Sequence, residues 1–337
     1  EMKNLFFYSS IITVLLSCTI IFTSCSENSP VAPQTEATVQ WQAVDSIPDE
    51  SIDRSFIVSE NEAYFTNTYG AYRINNGIRT KVDFQDANFF CSNGDAYSSS
   101  YVVFAGVTNG SRSTLKIFNA GSITTVIPDN TINTYLNCVK IIQPGKILAS
   151  TNYKLYLYDN GTVTTFTLSP DEDIYNLVVS NNGSIFISAF AGGYHDKIYR
   201  LDNDSLLLLE TEETLYRKFQ TNNNLFKNTK TSSNTLLSYF TGAGWNFIGS
   251  DSISQKFIYG AGSDMSYDYF IAVDSVSGKM SGCWWTGSQL KRDSDFPLSL
   301  QNMYYTSISN MRDNTFYFIK YIMSRNKTYV YKVKRTS

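Results

Sequence analysis

The chain has 337 residues and a formal net charge of −3, and only 17% of its residues are charged. This balance provides no basic field that would attract nucleic acid, so we predict no nucleic-acid partner. Aromatic residues make up 15% of the chain, including 24 tyrosines, and this composition is typical of secreted all-β proteins.

The first segment predicts a secretion signal. Met2-Lys3 forms a short basic region, and the apolar stretch Leu5–Phe22 follows it. The next residues, Phe22–Cys25, resemble a bacterial lipobox, in which small residues precede a cysteine that is lipidated after cleavage. This resemblance implies lipidation of Cys25. Leu15–Cys18 is a competing match, and an uncleaved anchor helix is a second alternative, because the apolar stretch is long enough to span a bilayer.

We therefore divide the chain into a signal peptide at 1–25, a tether at 26–37 and a folded domain at 38–337. The tether is polar and contains proline, so it has no core of its own. By resemblance to bacterial lipoproteins, Ser26 behind the cysteine implies the outer membrane, and Glu27 implies export to the cell surface of a Gram-negative bacterium.

The sequence YLYDNGTVTTF, at Tyr156–Phe166, predicts a β-hairpin. Asn160-Gly161 suits a type I′ turn, which needs positive φ at both central residues. The same frame recurs three times, at Tyr72–Val82, Lys116–Val126 and Tyr199–Leu209. Aligned on the turn, these hairpins are 44, 40 and 43 residues apart. A period of about 40–45 residues with four short strands per unit is the signature of a β-propeller.

Residues Asp173–Thr211 illustrate one complete unit. They predict four consecutive antiparallel strands at about Tyr175–Val179, Ser184–Ala189, Lys197–Leu201 and Ser205–Glu210. Sequential pairing of these strands makes an up-and-down meander, which must stack on its neighbours to bury both faces.

The number of units follows from their second strands. We expect second strands to begin near Ala63, Tyr101, Lys146, Ser184, Thr235, Asp268 and Thr315. The last unit has no room for a fourth strand, and Ala37–Val44 can supply it. The prediction is an all-β propeller of seven four-stranded blades, closed by an N-terminal strand that pairs with the last blade. Six blades is the alternative, because the units between Tyr216 and Gly287 are unevenly spaced.

The unit resembles the repeats of two-component-regulator propellers. Asn182–Ile187 and Lys197–Leu201 match the pattern of those repeats, as do Lys146–Thr151 and Leu155–Tyr158. Those families usually carry a tryptophan in the second strand, where this chain has Phe186 or Leu148. The resemblance implies a scaffold and no particular reaction.

Three cysteines remain once the signal is removed. Cys91 and Cys138 fall on the predicted first strands of adjacent units, so a disulfide is conceivable in an oxidising compartment. Small buried thiols are the preferred interpretation, for these two as for Cys283.

His195 is the only histidine, so a Ser–His–Asp triad or a histidine metal site would have to use it. We place it in the loop between the second and third strands of its unit, beside Tyr194 and Asp196. Trp245 follows the sequence TGAG, which we also assign to such a loop. Our candidate ligand-binding residues are Tyr194, His195, Asp196 and Trp245, because flat rings at a rim stack on sugars and form protein hot spots.

Acidic residues recur between units, where a fourth strand leads into the next first strand. They are Asp49, Glu50, Asp53, Asp83, Asp86, Asp129, Asp171, Glu172, Asp173, Glu210, Glu212, Glu213, Asp251, Asp293 and Asp295. An acidic rim could bind a cation or supply paired carboxylates for glycoside hydrolysis. The simpler interpretation is that aspartate favours turns. No calcium-loop motif is present, and we predict no metal, no cofactor and no catalytic residue.

One further segment, Asn222–Asn234, is rich in Asn, Thr and Ser, and we interpret it as a long disordered loop on the opposite face. Together these features predict a monomeric, lipid-anchored and non-catalytic propeller that binds a carbohydrate or protein ligand on its rim. The alternatives are a polysaccharide lyase or hydrolase that uses rim carboxylates or tyrosine, and a structural subunit of an envelope complex.

Overall fold

A computed structural model describes residues 38–336, with gaps at 49–51, 53, 68–69, 109–111, 132–133, 181–182, 193–194, 204, 214–216, 221–224, 231–234, 241–243, 252–254, 262–267, 275–276, 278, 286–289, 298–299 and 301–305. The predicted signal, Cys25 and the tether lie outside these residues. No helix within the described part of the chain is both long enough and apolar enough to cross a membrane.

The described residues are almost entirely β-structure. The strands in chain order are β1 (Thr38–Pro48), β2 (Arg54–Ser59), β3 (Glu62–Asn67), β4 (Gly70–Asn75), β5 (Ile78–Lys81), β6 (Phe90–Ser98), β7 (Tyr101–Thr108), β8 (Arg112–Asn119), β9 (Ser122–Val126), β10 (Cys138–Gln143), β11 (Lys146–Ser150), β12 (Lys154–Asp159), β13 (Thr162–Thr167), β14 (Glu172–Val179), β15 (Ile185–Ala191), β16 (His195–Asp202), β17 (Ser205–Glu213), β18 (Arg217–Gln220), β19 (Leu225–Lys230), β20 (Thr235–Phe240), β21 (Trp245–Asp251), β22 (Gln255–Ala261), β23 (Asp268–Asp274), β24 (Met280–Trp285), β25 (Leu290–Arg292), β26 (Thr306–Ile308), β27 (Thr315–Ile322) and β28 (Lys327–Thr336).

These strands form seven antiparallel four-stranded sheets. Sheets 1 to 6 are the consecutive meanders β2–β5, β6–β9, β10–β13, β14–β17, β18–β21 and β22–β25. Sheet 7 has the order β1-β28-β27-β26, so the first described strand completes the last sheet. Its register runs from Thr38 opposite Thr336 to Pro48 opposite Lys327, with a bulge between Ala43 and Asp45. The predicted closure by the N-terminal strand is confirmed, and the strand extends beyond the predicted Val44.

The hairpin turns form as their residues predict. Asn160 and Gly161 have φ values of 46° and 101°, which is the left-handed pair that a type I′ turn requires. The flanking strands pair Tyr158 with Val163 and Asp159 with Thr162. The turn is therefore set by local residues, and its strands are set by the alternation around it.

The core is divided among the gaps between neighbouring sheets. Seven clusters of buried residues in the described chain each join two adjacent sheets, and the last one joins sheet 7 to sheet 1. Representative pairs, in order from the gap between sheets 1 and 2, are Phe56 and Phe104, Ile117 and Val139, Leu148 and Ile187, Phe186 and Phe240, Phe226 and Phe270, Tyr269 and Phe316, and Tyr317 and Phe65. Aromatic rings serve well here because one large side chain can fill the space between two sheets.

The structure corrects the prediction for sheet 5. Thr235–Phe240 forms its third strand, not its second, because β19 lies inside the segment that we interpreted as a disordered loop. Trp245 consequently begins the fourth strand and follows a connection between the third and fourth strands. Its expected position in a loop between the second and third strands is wrong.

The cysteines agree with the preferred interpretation. Cys91, Cys138 and Cys283 are free and buried, with Cys91 on β6 and Cys138 on β10, the first strands of adjacent sheets. Burial raises the pKa of the Cys91 thiol well above its ordinary value, so this thiol is not an activated nucleophile.

Candidate functional site

Strand direction brings two kinds of connection to one edge of each sheet. In a four-stranded meander the segment that enters the first strand and the loop between the second and third strands lie at the same end. We call this edge, which carries segments such as 82–89, 151–153 and 323–326, the loop face. The opposite edge, with turns such as 60–61, 144–145 and 160–161, is the turn face.

Most of the predicted rim carboxylates that the structure describes are bound inside the protein. In sheet 3, Asp129 accepts a hydrogen bond from Lys154 Nζ at 2.7 Å and another from Tyr156 Oη at 2.9 Å. Both partners lie on the third strand, β12. Burial by itself would raise the pKa of Asp129. The hydrogen bonds from Lys154, Thr131 and Tyr156 together lower it by more than burial raises it, so the pKa lies well below the usual value.

Sheet 4 repeats this arrangement with residues of the same chemical types. Glu172 is almost completely buried at the start of β14, where it forms an ion pair with Lys197. Tyr199 Oη lies 3.0 and 2.9 Å from the two carboxylate oxygens. Burial, and then the hydrogen bond to Glu172, raise the pKa of Tyr199. This tyrosine is therefore a poor general base at neutral pH.

Sheet 2 has a variant of the same contact. Asp86 lies 3.0 Å from Lys116 Nζ and accepts a hydrogen bond from Thr108 Oγ1 at 2.9 Å. Lys116 stands two residues closer to the turn than the lysines of sheets 3 and 4, at the place that tyrosine occupies there. In each of sheets 2 to 4, one acid at the entry to the sheet is thus bound to the third strand of that sheet.

The acids of later sheets are bound by neutral donors. Glu210 accepts a hydrogen bond from Trp245 Nε1 at 2.6 Å. Asp293 accepts one from Tyr269 Oη at 2.8 Å and one from Trp41 Nε1 at 3.1 Å. Burial is the largest influence on Asp293 and raises its pKa above the usual value. Asp49, Glu50 and Asp53 lie outside the described residues.

These contacts favour a structural role for the acids, because each described pairing uses the carboxylate oxygens that a substrate or cation would need. Within the described residues, no three His, Cys, Asp or Glu side chains come together as a metal-binding group. Asp83, Asp171, Asp173 and Asp295 remain solvent-exposed on the loop face, and Lys81, Arg112 and Arg325 are exposed there as well.

The described site residues are divided between two sheets, with His195 and Asp196 on β16 of sheet 4 and Trp245 on β21 of sheet 5. His195 is half-buried at the start of β16, where its backbone is opposite Ala191 and Glu213. Asp196 is buried and accepts a hydrogen bond from Tyr175. Successive strand residues point to opposite faces, so these two side chains diverge. Tyr194 and Cys25 lie outside the described residues.

Trp245 lies in the core between sheets 4 and 5. It packs against the cluster of Val178, Phe186 and Ile198, and its ring centroid is 5.1 Å from that of Phe240. With its indole nitrogen bound to Glu210, this side chain holds two sheets together.

Other rings are exposed on the loop face. Phe90 at the start of β6, Tyr135 ahead of β10 and Phe190 near the end of β15 expose 48%, 52% and 37% of their surface. They belong to three consecutive sheets. Sequence reasoning missed them, because an exposed ring and a core ring look alike in a strand pattern. The available signal was position, since all three lie at strand ends on the loop-face side.

The segment that carries Tyr135 is held against sheet 2. Ser92 Oγ donates to the carbonyl of Leu136 at 2.5 Å, and Asn93 Nδ2 donates to the carbonyl of Asn137 at 2.9 Å. Asn137 in turn donates to Asn152 Oδ1 at 2.6 Å, in the loop between β11 and β12 of sheet 3. Ser92 thus binds Leu136, the residue after Tyr135, and Ser92 itself lies two residues after Phe90. This hydrogen bond links the segments that carry the two exposed rings.

On the turn face, one arginine side chain connects three neighbouring sheets. Arg312, in the connection between β26 and β27, donates to the carbonyls of Val58 at 3.3 Å and Tyr97 at 3.0 Å, and also to that of Ala96. Its side chain thus links sheet 7 to sheets 1 and 2. Arg312 therefore fills space between the first strands of these three sheets at the turn face.

The fold matches solved structures, although no protein-family model and no curated protein matches the sequence. The structure of YCF48 bound to D1 peptide aligns over 86% of this chain and 96% of its own, with 12% identity and a TM-score of 0.60. YCF48 from Cyanidioschyzon merolae aligns over 87% and 98%, with 12% identity and a TM-score of 0.61. The Cps50 (Swd1) β-propeller domain of Myceliophteria thermophila aligns over 87% and 99%, with 9% identity and a TM-score of 0.56. The predicted β-propeller is confirmed, and at these identities the likeness concerns the fold alone.

Proposed function

We propose that this chain is a non-catalytic β-propeller, with each of its seven sheets as one blade, that binds a protein ligand through its loop face. The observation that carries the proposal is the contrast on that face. The described acids that could perform chemistry there are largely bound to lysine, tyrosine or tryptophan, whereas Phe90, Tyr135 and Phe190 are exposed. Exposed rings on a rigid scaffold are suited to anchoring a partner.

The comparison with peptide-bound YCF48 adds support, because it is a propeller that was solved with a peptide ligand. Exposed charges on a rim set the orientation of a partner, so we expect the partner to present polar and charged residues around an apolar centre.

Site-specific photo-cross-linking tests this assignment. A benzophenone amino acid placed at position 90, 135 or 190, in cells that produce the protein, should yield the same protein adduct from all three positions. Phe247 is the matched control, because it is 60% exposed on the outer strand β21, away from the loop face. Adducts of equal yield from position 247, or none from the three loop-face positions, would reject the proposal.

Two further measurements separate the alternatives. A glycan array probed with the purified protein and with its Phe90→Ala variant would assign the face to carbohydrate if binding were strong and depended on Phe90. Loss of polysaccharide chain length during incubation would indicate an enzyme.

We also propose that the propeller is anchored at the outer membrane through lipidated Cys25, with residues 26–37 as a tether. The lipobox resemblance supports this. Mass spectrometry of the mature protein should find an N-terminal diacylglyceryl cysteine at position 25. A mature terminus without lipid, or with lipid at Cys18, would overturn the assignment.

A further inference from the structure

At the loop-face end of sheet 4, an exposed ring stands between two carboxylates. Phe190 on β15 is directly opposite Asp173 on β14 and directly opposite Asp196 on β16. Opposed residues of antiparallel strands point to the same face of the sheet, with their Cβ atoms about 4.5–5.5 Å apart. The three side chains therefore form a row on one face, with the ring in the middle.

This row lies on the face of sheet 4 that is directed toward sheet 5. Phe186 and Ile198 are on the same face by strand alternation, and both pack in the cluster between sheets 4 and 5. The ring of Phe186 is buried, with its centroid 5.5 Å from that of Phe240. Phe190, by contrast, keeps 37% of its surface exposed. The apolar packing between the two sheets thus ends before the loop face, and the last ring is open to a ligand.

The two carboxylates in the row differ in what they bind. Asp196 is buried and accepts a hydrogen bond from Tyr175. Burial, and then the charge of Asp196, raise the pKa of Tyr175, so this tyrosine stays a donor at neutral pH. Asp173 is exposed and has no ion pair among the described residues, whereas its neighbour Glu172 is held by Lys197 on the other face. One carboxylate is therefore fixed within the protein, and the other is available to a ligand.

We propose that Phe190 and Asp173 bind an arginine side chain of the protein ligand, and this rests on the protein-binding role proposed for the loop face. A guanidinium group is planar, so it can lie against the exposed ring and donate two hydrogen bonds to one carboxylate. Asp196 adds negative charge on the other side of the ring. An apolar side chain would cover the ring but would leave the carboxylate beside it without a donor, and so a cation fits the row better.

NMR titration of the ¹⁵N-labelled protein with three blocked tripeptides tests the proposal at low ionic strength. The tripeptides are Ac-Gly-Arg-Gly-amide and its citrulline and lysine counterparts. The arginine peptide should bind at least about fivefold more tightly than the citrulline peptide, which has a similar shape without the charge, and about threefold more tightly than the lysine peptide. The amide signals of residues 173 and 190 should shift, and added salt should weaken binding.

Two variants test the two groups separately. Asp173→Asn should weaken binding of the arginine peptide by about fivefold or more. Phe190→Leu keeps an apolar side chain but removes the ring, and it should weaken binding by about threefold.

Asp83→Asn and Phe247→Leu are the matched controls. Asp83 is an exposed acid on the loop face ahead of sheet 2, and Phe247 is a 60% exposed ring on β21. Both variants should bind the arginine peptide as the wild type does, which would exclude an effect of net charge or of exposed rings in general. Equal melting temperatures of all four variants would show that a lower affinity is not a loss of folding.

Several outcomes would overturn the proposal. They are no binding of the arginine peptide, equal binding of the arginine and citrulline peptides, lysine binding as tight as arginine binding, and unchanged affinity in Asp173→Asn or in Phe190→Leu.

The cross-links from the loop face distinguish this failure from failure of the proposed function. Adducts from position 90 that persist at full yield in Asp173→Asn would keep the protein ligand and reject the arginine site. Absence of every loop-face adduct, with the arginine peptide still bound, would instead reject the proposed function alone.

Discussion

Asp129 in sheet 3 and Asp293 at the junction of sheets 6 and 7 are both aspartates, but their pKa values are shifted in opposite directions. Both are largely removed from water, with exposed fractions of 16% for the Asp129 side chain and 9% for Asp293. The pKa of Asp129 is held below the usual value and that of Asp293 is raised. Each accepts hydrogen bonds, so donors alone do not explain the difference.

The difference lies in the deeper burial of Asp293 and in the cation beside Asp129. Asp129 has Lys154 at 2.7 Å, whereas the donors to Asp293 among the described residues are Tyr269, Trp41 and the backbone amide of Asp295. Neutral donors satisfy the lone pairs of a carboxylate, but they offset less of the free-energy cost of removing its charge from water than a neighbouring cation does. The propeller therefore closes its last junction with an acid whose pKa is raised by burial.

The largest effect is expected from crowding the Asp293 region. In Gly282→Ala, the new Cβ would lie 1.7 Å from Tyr269 Oη and 2.6 Å from its Cζ. Tyr269 is fully buried and bonded to Asp293, so it cannot move aside cheaply. We expect a loss of about 2–3 kcal/mol in the free energy of unfolding, measured by chemical denaturation.

Gly244→Ala is the control for this substitution. Nothing lies within 4 Å of the position of its added Cβ, so its stability should change by less than about 0.5 kcal/mol. Equal losses in the two variants would contradict the role assigned to close packing around Asp293.

A second substitution should make the two regions alike. Lys154→Met removes the cation beside Asp129 and leaves Thr131 and Tyr156 as donors. We expect a loss of about 1–2 kcal/mol in denaturant unfolding, and a rise in the pKa of Asp129 that NMR titration can follow. Lys146→Met, which removes a more exposed pair with Asp159, should cost about 0–0.5 kcal/mol. If the two variants lost the same stability, the distinction between buried and surface pairs would be wrong here.

The smallest effect is the pH dependence of stability, which should have opposite signs at the two acids. The pKa of Asp129 is lowered in the folded state. Its ionised carboxylate therefore contributes fully to the free energy of unfolding when the pH is above about 3.8, the pKa in the unfolded chain, and this contribution is lost as the pH falls below that value. Because the pKa of Asp293 is raised, its carboxyl destabilises the fold at neutral pH and is relieved as the pH falls toward that value.

Unfolding of the wild type and of Asp129→Asn and Asp293→Asn at about pH 7, 5 and 3 would separate these contributions. As the pH falls from 7 toward about 3.8, the wild type should gain stability relative to Asp293→Asn. Below about pH 4 it should lose stability relative to Asp129→Asn. Parallel pH profiles for the three proteins would show that neither carboxyl has a shifted pKa.

The repeating parts of the fold were predictable because they depend on residues close together in the chain. The turn at Asn160-Gly161 and six of the seven second strands follow from local turn chemistry and alternation. The exception is Thr235–Phe240, which is a third strand. Leu225–Lys230 reads as a polar loop, and it becomes β19 only because β18 and β20 lie on either side to pair with it.

The candidate site was less predictable. The acids ahead of each sheet were found, but their partners were not, although one signal was present. Asp129 is followed 25 residues later by Lys154 and 27 later by Tyr156, and Glu172 has Lys197 and Tyr199 at the same spacings. A shared spacing in two successive repeats could have identified the pairs.

The amino-acid order alone determined the repeat, the turns and the strand that closes the ring, because each depends on backbone preferences and on an apolar period that neighbouring residues express. Which rings are exposed and which carboxylates have a raised or lowered pKa depended on the tertiary structure. Those properties are set by groups that come from other strands and other sheets, and the low dielectric of the gaps between sheets makes the identity of each such neighbour decisive.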